Sequence, residues 1–157
     1  MVVVLNFGSQ FSHLIASRVR DLGVKAEILS FDAPLNRILS LHPQGIILSG
    51  SPASVLERSH PRPRKEIFAL DVPILGICYG EQVMAETLGG RVMKGKRREF
   101  GREVLTVYSK SGIFSGLKSK EVVWFSHGDQ VAQLPKGFTR TASTVGCRNA
   151  GIAHRSL

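Results

Sequence analysis

A chain of 157 residues, 43% hydrophobic and with a mean hydropathy of +0.04, has the size and balance of one globular domain with a core. No apolar run is long enough to span a bilayer, and Met1-Val2-Val3-Val4-Leu5 lacks the basic start and long apolar stretch of a signal peptide. Two cysteines, Cys78 and Cys147, are too few for a disulfide framework and point to a reducing, cytoplasmic compartment. The net charge of +9 gathers in Arg62-Pro63-Arg64-Lys65 and Lys94-Gly95-Lys96-Arg97-Arg98. No helix-turn-helix, RNA-recognition or zinc-finger pattern accompanies it, so a solvated face or a surface for an acidic partner is expected rather than nucleic acid.

Strand and helix signals alternate over the first ninety positions. Val2 to Leu5 is a buried strand. Gln10 to Leu22 is an amphipathic helix with Phe11, Leu14, Ile15, Val19 and Leu22 on its core face, closed by Gly23. Ala26 to Leu29 is the second strand, and Pro34 to Leu41 a short helix with proline at its start. Gly45 to Leu48 is the third strand, Arg64 to Leu70 is helical, and Pro73 to Ile77 is the fourth strand. Tyr79 to Leu88 is a helix ended by Gly89-Gly90. This rhythm predicts an α/β fold: an open, mostly parallel sheet with helices on both faces. Beyond it, Arg102 to Tyr108, Val122 to Phe125, Thr139 to Ala142 and Gly151 to Ala153 read as an antiparallel extension. Trp124 and its apolar neighbours are expected in the core. The last strand lies against the end of the chain with no closing helix, and an open edge there is costly, so the pattern predicts a domain that continues.

Gly76-Ile77-Cys78-Tyr79-Gly80 carries the chemistry. It has the form G-x-nucleophile-x-G between a strand and a helix, where two glycines permit a turn that lifts the central side chain clear of the sheet. A thiol at a helix N-terminus is favoured as thiolate by the dipole and the free N–H groups. In an open α/β sheet ligands bind at the carboxyl ends of the strands, so the loops Asn6 to Gln10 and Ser49 to Ser54 join the elbow as candidates, the second as an oxyanion hole. A base is also needed. His127, in Ser126-His127-Gly128-Asp129, is the candidate, with a polar turn as the plain alternative. His13 reads as partly buried and structural, His42 and His60 as surface loop residues, and Cys147 as a passive loop thiol. No metal-ligand spacing is present.

These pieces together resemble the class I, triad-type glutamine amidotransferase domain of GMP synthetases. The matching segments are Phe7-Gly8-Ser9-Gln10, Ile46 to Pro52, Gly76 to Gln82, Leu88-Gly89-Gly90, Arg98-Glu99-Phe100-Gly101 and Ser126 to Asp129. The resemblance implies that Cys78 attacks the side-chain amide of glutamine. Backbone groups of Tyr79, Gly50 and Ser51 hold the oxyanion, and Gln82, Ser126 and Gly128 bind glutamine. It implies no cofactor in this domain. ATP and magnesium belong to a synthetase (ATP-pyrophosphatase) domain or subunit, the implied partner, which uses the ammonia to convert XMP to GMP. It also implies that residues 1–157 are an amidotransferase domain lacking its C-terminal strands and helix, because the family's catalytic histidine and glutamate lie in a His-Pro-Glu motif that this sequence does not contain. Two further departures are Ser51, where the family has glycine, and Glu81, where it has an apolar residue. A carboxylate in a first helical turn suits the dipole but also opposes a neighbouring thiolate. Two alternative readings stand beside this one: a Cys–His hydrolase using His127, and a catalytically silent domain that docks on a synthetase.

Overall fold

Val2 to Val4 are β-branched and favour extended backbone, and β1 (Val2–Asn6) forms there. Val3, Val4 and Leu5 are all fully buried. Successive strand residues point to opposite faces, so both faces of the sheet at β1 are covered. The structure is a computed structural model; it describes residues 1–109 and 111–155, with the side chains of 96–100 and 127 outside the description.

Two units follow one another along the chain, Met1–Met84 and Ala85–Leu157. In the first, α1 (Ser12–Asp21) leads to β2 (Ala26–Ser30), α2 (Leu35–Leu39) to β3 (Gly45–Leu48), and a 3-10 turn (Lys65–Ala69) to β4 (Ile74–Gly76). α3 (Tyr79–Thr87) starts in this unit and runs past its boundary. The four strands are parallel in the order β2-β1-β3-β4. The chain steps one way from β1 to β2 and the other way from β2 through β3 to β4. Right-handed crossovers therefore put α1 on one face and the later connections on the other. The reversal falls between β1 and β3, which makes the carboxyl ends of those two strands the expected ligand crevice.

The core face of α1 differs from the sequence reading. Ile15, Ala16 and Val19 pack with Val2, Val4, Ala26, Ile28 and Ile47, while Phe11, Leu14 and Leu22 are exposed, Leu22 at 82%. Ser12 and Ala16 are buried and Ile15 and Val19 partly buried, a narrower arc than the apolar residues span. Ser12 can be part of it because its hydroxyl donates to Asn6 Oδ1 at 2.8 Å. His13, expected partly buried, lies off this stripe and is exposed. His60, expected at the surface, is buried. Its Nδ1 is 2.7 Å from the Glu57 carbonyl oxygen, and its ring meets Tyr79 edge-on.

In the second unit, β5 (Arg91–Val107), β6 (Lys120–Gln133), β7 (Phe138–Ser143) and β8 (Gly151–His154) form a sheet of their own, antiparallel, in the order β6-β5-β7-β8. Both long strands exceed the sequence reading. The Lys94–Arg98 segment lies in β5, and Ser126 to Asp129 is extended in β6 rather than turned. Phe100 pairs with Ser126, Glu99 with His127 and Lys94 with Asp129. Residues 95–98 intervene on β5 where Gly128 alone intervenes on β6, an irregularity that charge-rich sequence hides. Trp124 is 75% exposed rather than core. Val123 and Phe125 instead face Leu105, Val107 and Ala142, and strand alternation turns Val122 and Trp124 outward. Cys147 is buried in the β7–β8 connection, its N–H donating to Thr144 Oγ1 at 2.9 Å.

This face assignment makes a test. Val123→Ala is expected to cost about 1.5 kcal/mol and Val122→Ala less than about 0.5 kcal/mol in urea denaturation. Equal losses would contradict the alternation.

Candidate active site

Three loops at the carboxyl ends of β1, β3 and β4 converge. Phe7 N–H donates to Ser49 Oγ at 3.0 Å, tying the loop after β1 to the loop after β3. Ile77 N–H donates to the Leu48 carbonyl at 3.0 Å, tying β4's exit to β3. A methyl group built on Gly50 would lie 3.7 Å from Ser9 Oγ and 3.9 Å from Cys78 Cβ, so one residue of each loop meets at this point. Ser51 Oγ accepts the Ala53 N–H at 3.1 Å, a local turn that shapes the backbone beside Gly50.

Cys78 has φ +52, left-handed backbone that a residue with a Cβ rarely adopts and that costs on the order of 1–3 kcal/mol. The surroundings impose it. A Cβ on Gly76 would fall 2.5 Å from the Glu81 nitrogen, and one on Gly80 would strike the Leu48 carbonyl oxygen. The chain must therefore pass through a tight reversal between two positions that tolerate no side chain. The Cys78 carbonyl accepts N–H groups of Glu81 at 3.0 Å and Gln82 at 3.2 Å, which starts α3 on the elbow itself. Tyr79 is buried behind it. Its ring packs on Phe7 with centroids 5.6 Å apart, and its hydroxyl donates to the Pro61 carbonyl at 2.5 Å. Gln82 is buried one turn further on. Cys78 itself remains exposed.

The electrostatics run against the expectation from the helix dipole. Burial of the surrounding structure pushes the Cys78 thiol up from its ordinary 9.0, and the charge of Glu81 pushes it further. One side of the thiol reaches solvent, while packed protein around the rest supplies the desolvation. Burial also pushes the Glu81 carboxyl up from the ordinary 4.5 to about 8, and its Oε1 is sealed from solvent without a hydrogen-bond partner. Sequence reasoning named Glu81 but could not place its carboxyl. The signal was a carboxylate among apolar neighbours in the first turn of α3.

The remaining candidates lie in the second unit. Ser126 and Gly128 are in β6, and the side chain of His127 is outside the described residues. No cluster of three or more metal-ligating side chains occurs among the described residues. Nor is any helix there long and apolar enough to cross a membrane.

Glu81 has a consequence for stability. Its carboxyl holds a proton more tightly in the fold than unfolded, so between about pH 4.5 and 8 the folded state binds more protons. The associated stability is fully present below 4.5 and is lost as pH rises through 8. Urea denaturation should show Glu81→Leu stabilised over the parent by about 2 kcal/mol or more at pH 8, with a smaller gain near pH 5. A gain independent of pH would exclude a buried protonated carboxyl.

Comparison with known proteins agrees with this architecture. The class-I glutamine amidotransferase family model matches residues 3–157. A GMP synthase (glutamine-hydrolysing) of Bartonella quintana is 51% identical over 155 residues, and one of Aquifex aeolicus is 47% identical over 154. The alignments cover 97% and 98% of this chain, which spans about 30% of the length of these relatives. The crystal structure of a candidate GMP synthase component from Thermoplasma acidophilum superposes with a TM-score of 0.82 at 30% identity, covering 99% of this chain and 78% of that one. A glutamine amidotransferase from Thermotoga maritima shares the fold, with a TM-score of 0.75 at 22% identity; it covers 98% of this chain and 70% of that one. The chain belongs to the class-I glutamine amidotransferase family.

Proposed function

We propose that this chain is the glutaminase domain of a GMP synthetase and that Cys78 is its nucleophile. The observation that carries the reading is the left-handed backbone of Cys78, wedged between Gly76 and Gly80 where no side chain fits. A strained, exposed thiol at the head of a helix is arranged for attack rather than for packing. Membership of the amidotransferase family and the named GMP synthase relatives supply the substrate.

In this reading the Cys78 sulfur attacks the side-chain carbonyl carbon of glutamine. Backbone N–H groups of Tyr79 and of the Gly50-Ser51 loop stabilise the oxyanion. Support comes from the approach of the two backbones: a Cβ built on Gly50 would lie 3.9 Å from Cys78 Cβ. The amide nitrogen takes a proton and leaves as ammonia, and water cleaves the γ-glutamyl thioester to glutamate and free thiol. Gln82, Ser126 and Gly128 bind the glutamine. Ammonia then passes to a cytoplasmic synthetase portion that activates XMP with ATP and magnesium and yields GMP. The greater length of the relatives, of which this chain spans about 30%, leaves room for such a portion. The base and its orienting acid come from a His-Pro-Glu motif, which the 157 residues do not include.

Two measurements test this. A glutamine-shaped chloroketone should label Cys78 at one equivalent, glutamine should protect, and Cys78→Ser should abolish labelling. Labelling that glutamine does not slow would refute the site. The 157-residue chain should release glutamate from glutamine at about one-hundredth or less of the rate of the same domain extended through a His-Pro-Glu motif. Equal rates would show that the base lies within the chain. A second reading, a silent docking domain, is favoured by one observation, the upward push on the Cys78 thiol. It predicts no glutamine protection.

A further inference from the structure

We propose that the outward face of β5 and β6 is a docking site for an acidic segment of a partner protein, with Trp124 as its apolar anchor. The site lies wholly in the second unit and goes beyond the glutaminase reading.

Register builds the face. Arg102 pairs with Trp124, Val104 with Val122 and Thr106 with Lys120. Alternation turns these side chains away from the covered cluster of Leu105, Val107 and Ala142. Trp124 is 75% exposed, and Val104 and Val122 are each more than half exposed. Tyr108, just past β5, extends the face: its hydroxyl lies 2.7 Å from Ser143 Oγ, and Ser143 pairs with Thr106. Arg140 sits over the Tyr108 ring, 5.2 Å from its centroid. The open side of an antiparallel sheet ordinarily carries polar side chains. An indole beside two valines there is the mark of an interaction surface.

Charge identifies the occupant. Arg102, Lys120 and Arg140 are all exposed. The carboxylates of the same stretch have the opposite parity: Glu103 pairs with Val123 and Glu121 with Leu105, on the covered side. The strands therefore sort cations outward and acids inward. An acidic segment complements the cations, while its own apolar side chains cover Trp124, Val104 and Val122. Tryptophan and arginine are the residues that most often dominate such contacts. A second copy of this chain on the same face would set like charges against each other. A nucleic acid strand needs several open rings for successive bases. Arg140 already covers Tyr108, which leaves Trp124 as the open ring of this face among the described residues. The three cations lie outside both basic runs of the sequence, so composition alone does not reveal the surface.

The test is selection of a displayed library of random peptides on the 157-residue chain. Enriched peptides should be acidic with apolar residues between the acids. One of them, labelled with fluorescein, should bind the parent, and its affinity should fall as salt rises. Trp124→Ser and Arg102→Glu should each weaken it about tenfold or more. Val123→Ala, on the covered side, should bind as the parent does. Both tested side chains are exposed, and circular dichroism confirms each fold; if one variant does not fold, the other decides. No enrichment, peptides without an acidic excess, or affinity unchanged in the folded variants would overturn the proposal. A labelled oligouridylate that binds more tightly than the peptide and is lost with Trp124→Ser would assign the face to nucleic acid and overturn it too. None of these readouts depends on glutamine.

Discussion

The first unit depends on the closeness with which the first turn of α3 approaches the end of β3. Gly80 lies so near the Leu48 backbone that a Cβ would overlap the carbonyl oxygen. That same carbonyl accepts the Ile77 N–H, and the next residue, Ser49, takes the Phe7 N–H on its hydroxyl. One short stretch of β3 therefore sets the height of α3, the exit of β4 and the loop after β1. The left-handed backbone of Cys78 follows from this packing: with both flanking positions pressed against backbone, the reversal has no roomier path. Its strain is small beside the packing that imposes it. Phe7 stacks on Phe31 and meets Tyr79 at a tilt behind the turn, and Tyr79 is further held by the Pro61 carbonyl.

The sequence made the parallel half legible because each element there obeys a single local rule. β1, β3 and β4 are short apolar runs, and Gly23, with φ +79, closes α1 by a turn that glycine signals on its own. It misled where two rules compete. In α1 the apolar residues exceed what the sheet can cover, so Leu14 and Leu22 stay exposed while Ser12, satisfied by Asn6, takes a core position. In β6 Trp124 is the largest apolar residue, yet it shares its face with exposed Val122 and Val104. Register decides which face is covered, and register is set by pairing with β5. The charged run at 94–98 concealed a strand because composition there speaks for solvent and not for backbone. At the site, the approach of the Gly50 loop to Cys78 was readable from motif order. The burial of the Glu81 carboxyl was not, since a first-turn acid is ordinarily solvated.

That carboxyl shows why a helix N-terminus does not by itself make a thiolate. The dipole and the free N–H groups of a first turn supply partial charges that favour an anion by about 0.3–1 kcal/mol when exposed. Here they face two claims at once, from Cys78 and from Glu81, in a setting where desolvation penalises both anions. One pKa unit is worth about 1.4 kcal/mol, so even a modest desolvation cancels the dipole. A nucleophile in this position needs an external base, or a substrate that displaces solvent and supplies its own dipoles, before the sulfur becomes reactive. Built this way, the elbow fixes geometry first and leaves charge to be supplied later.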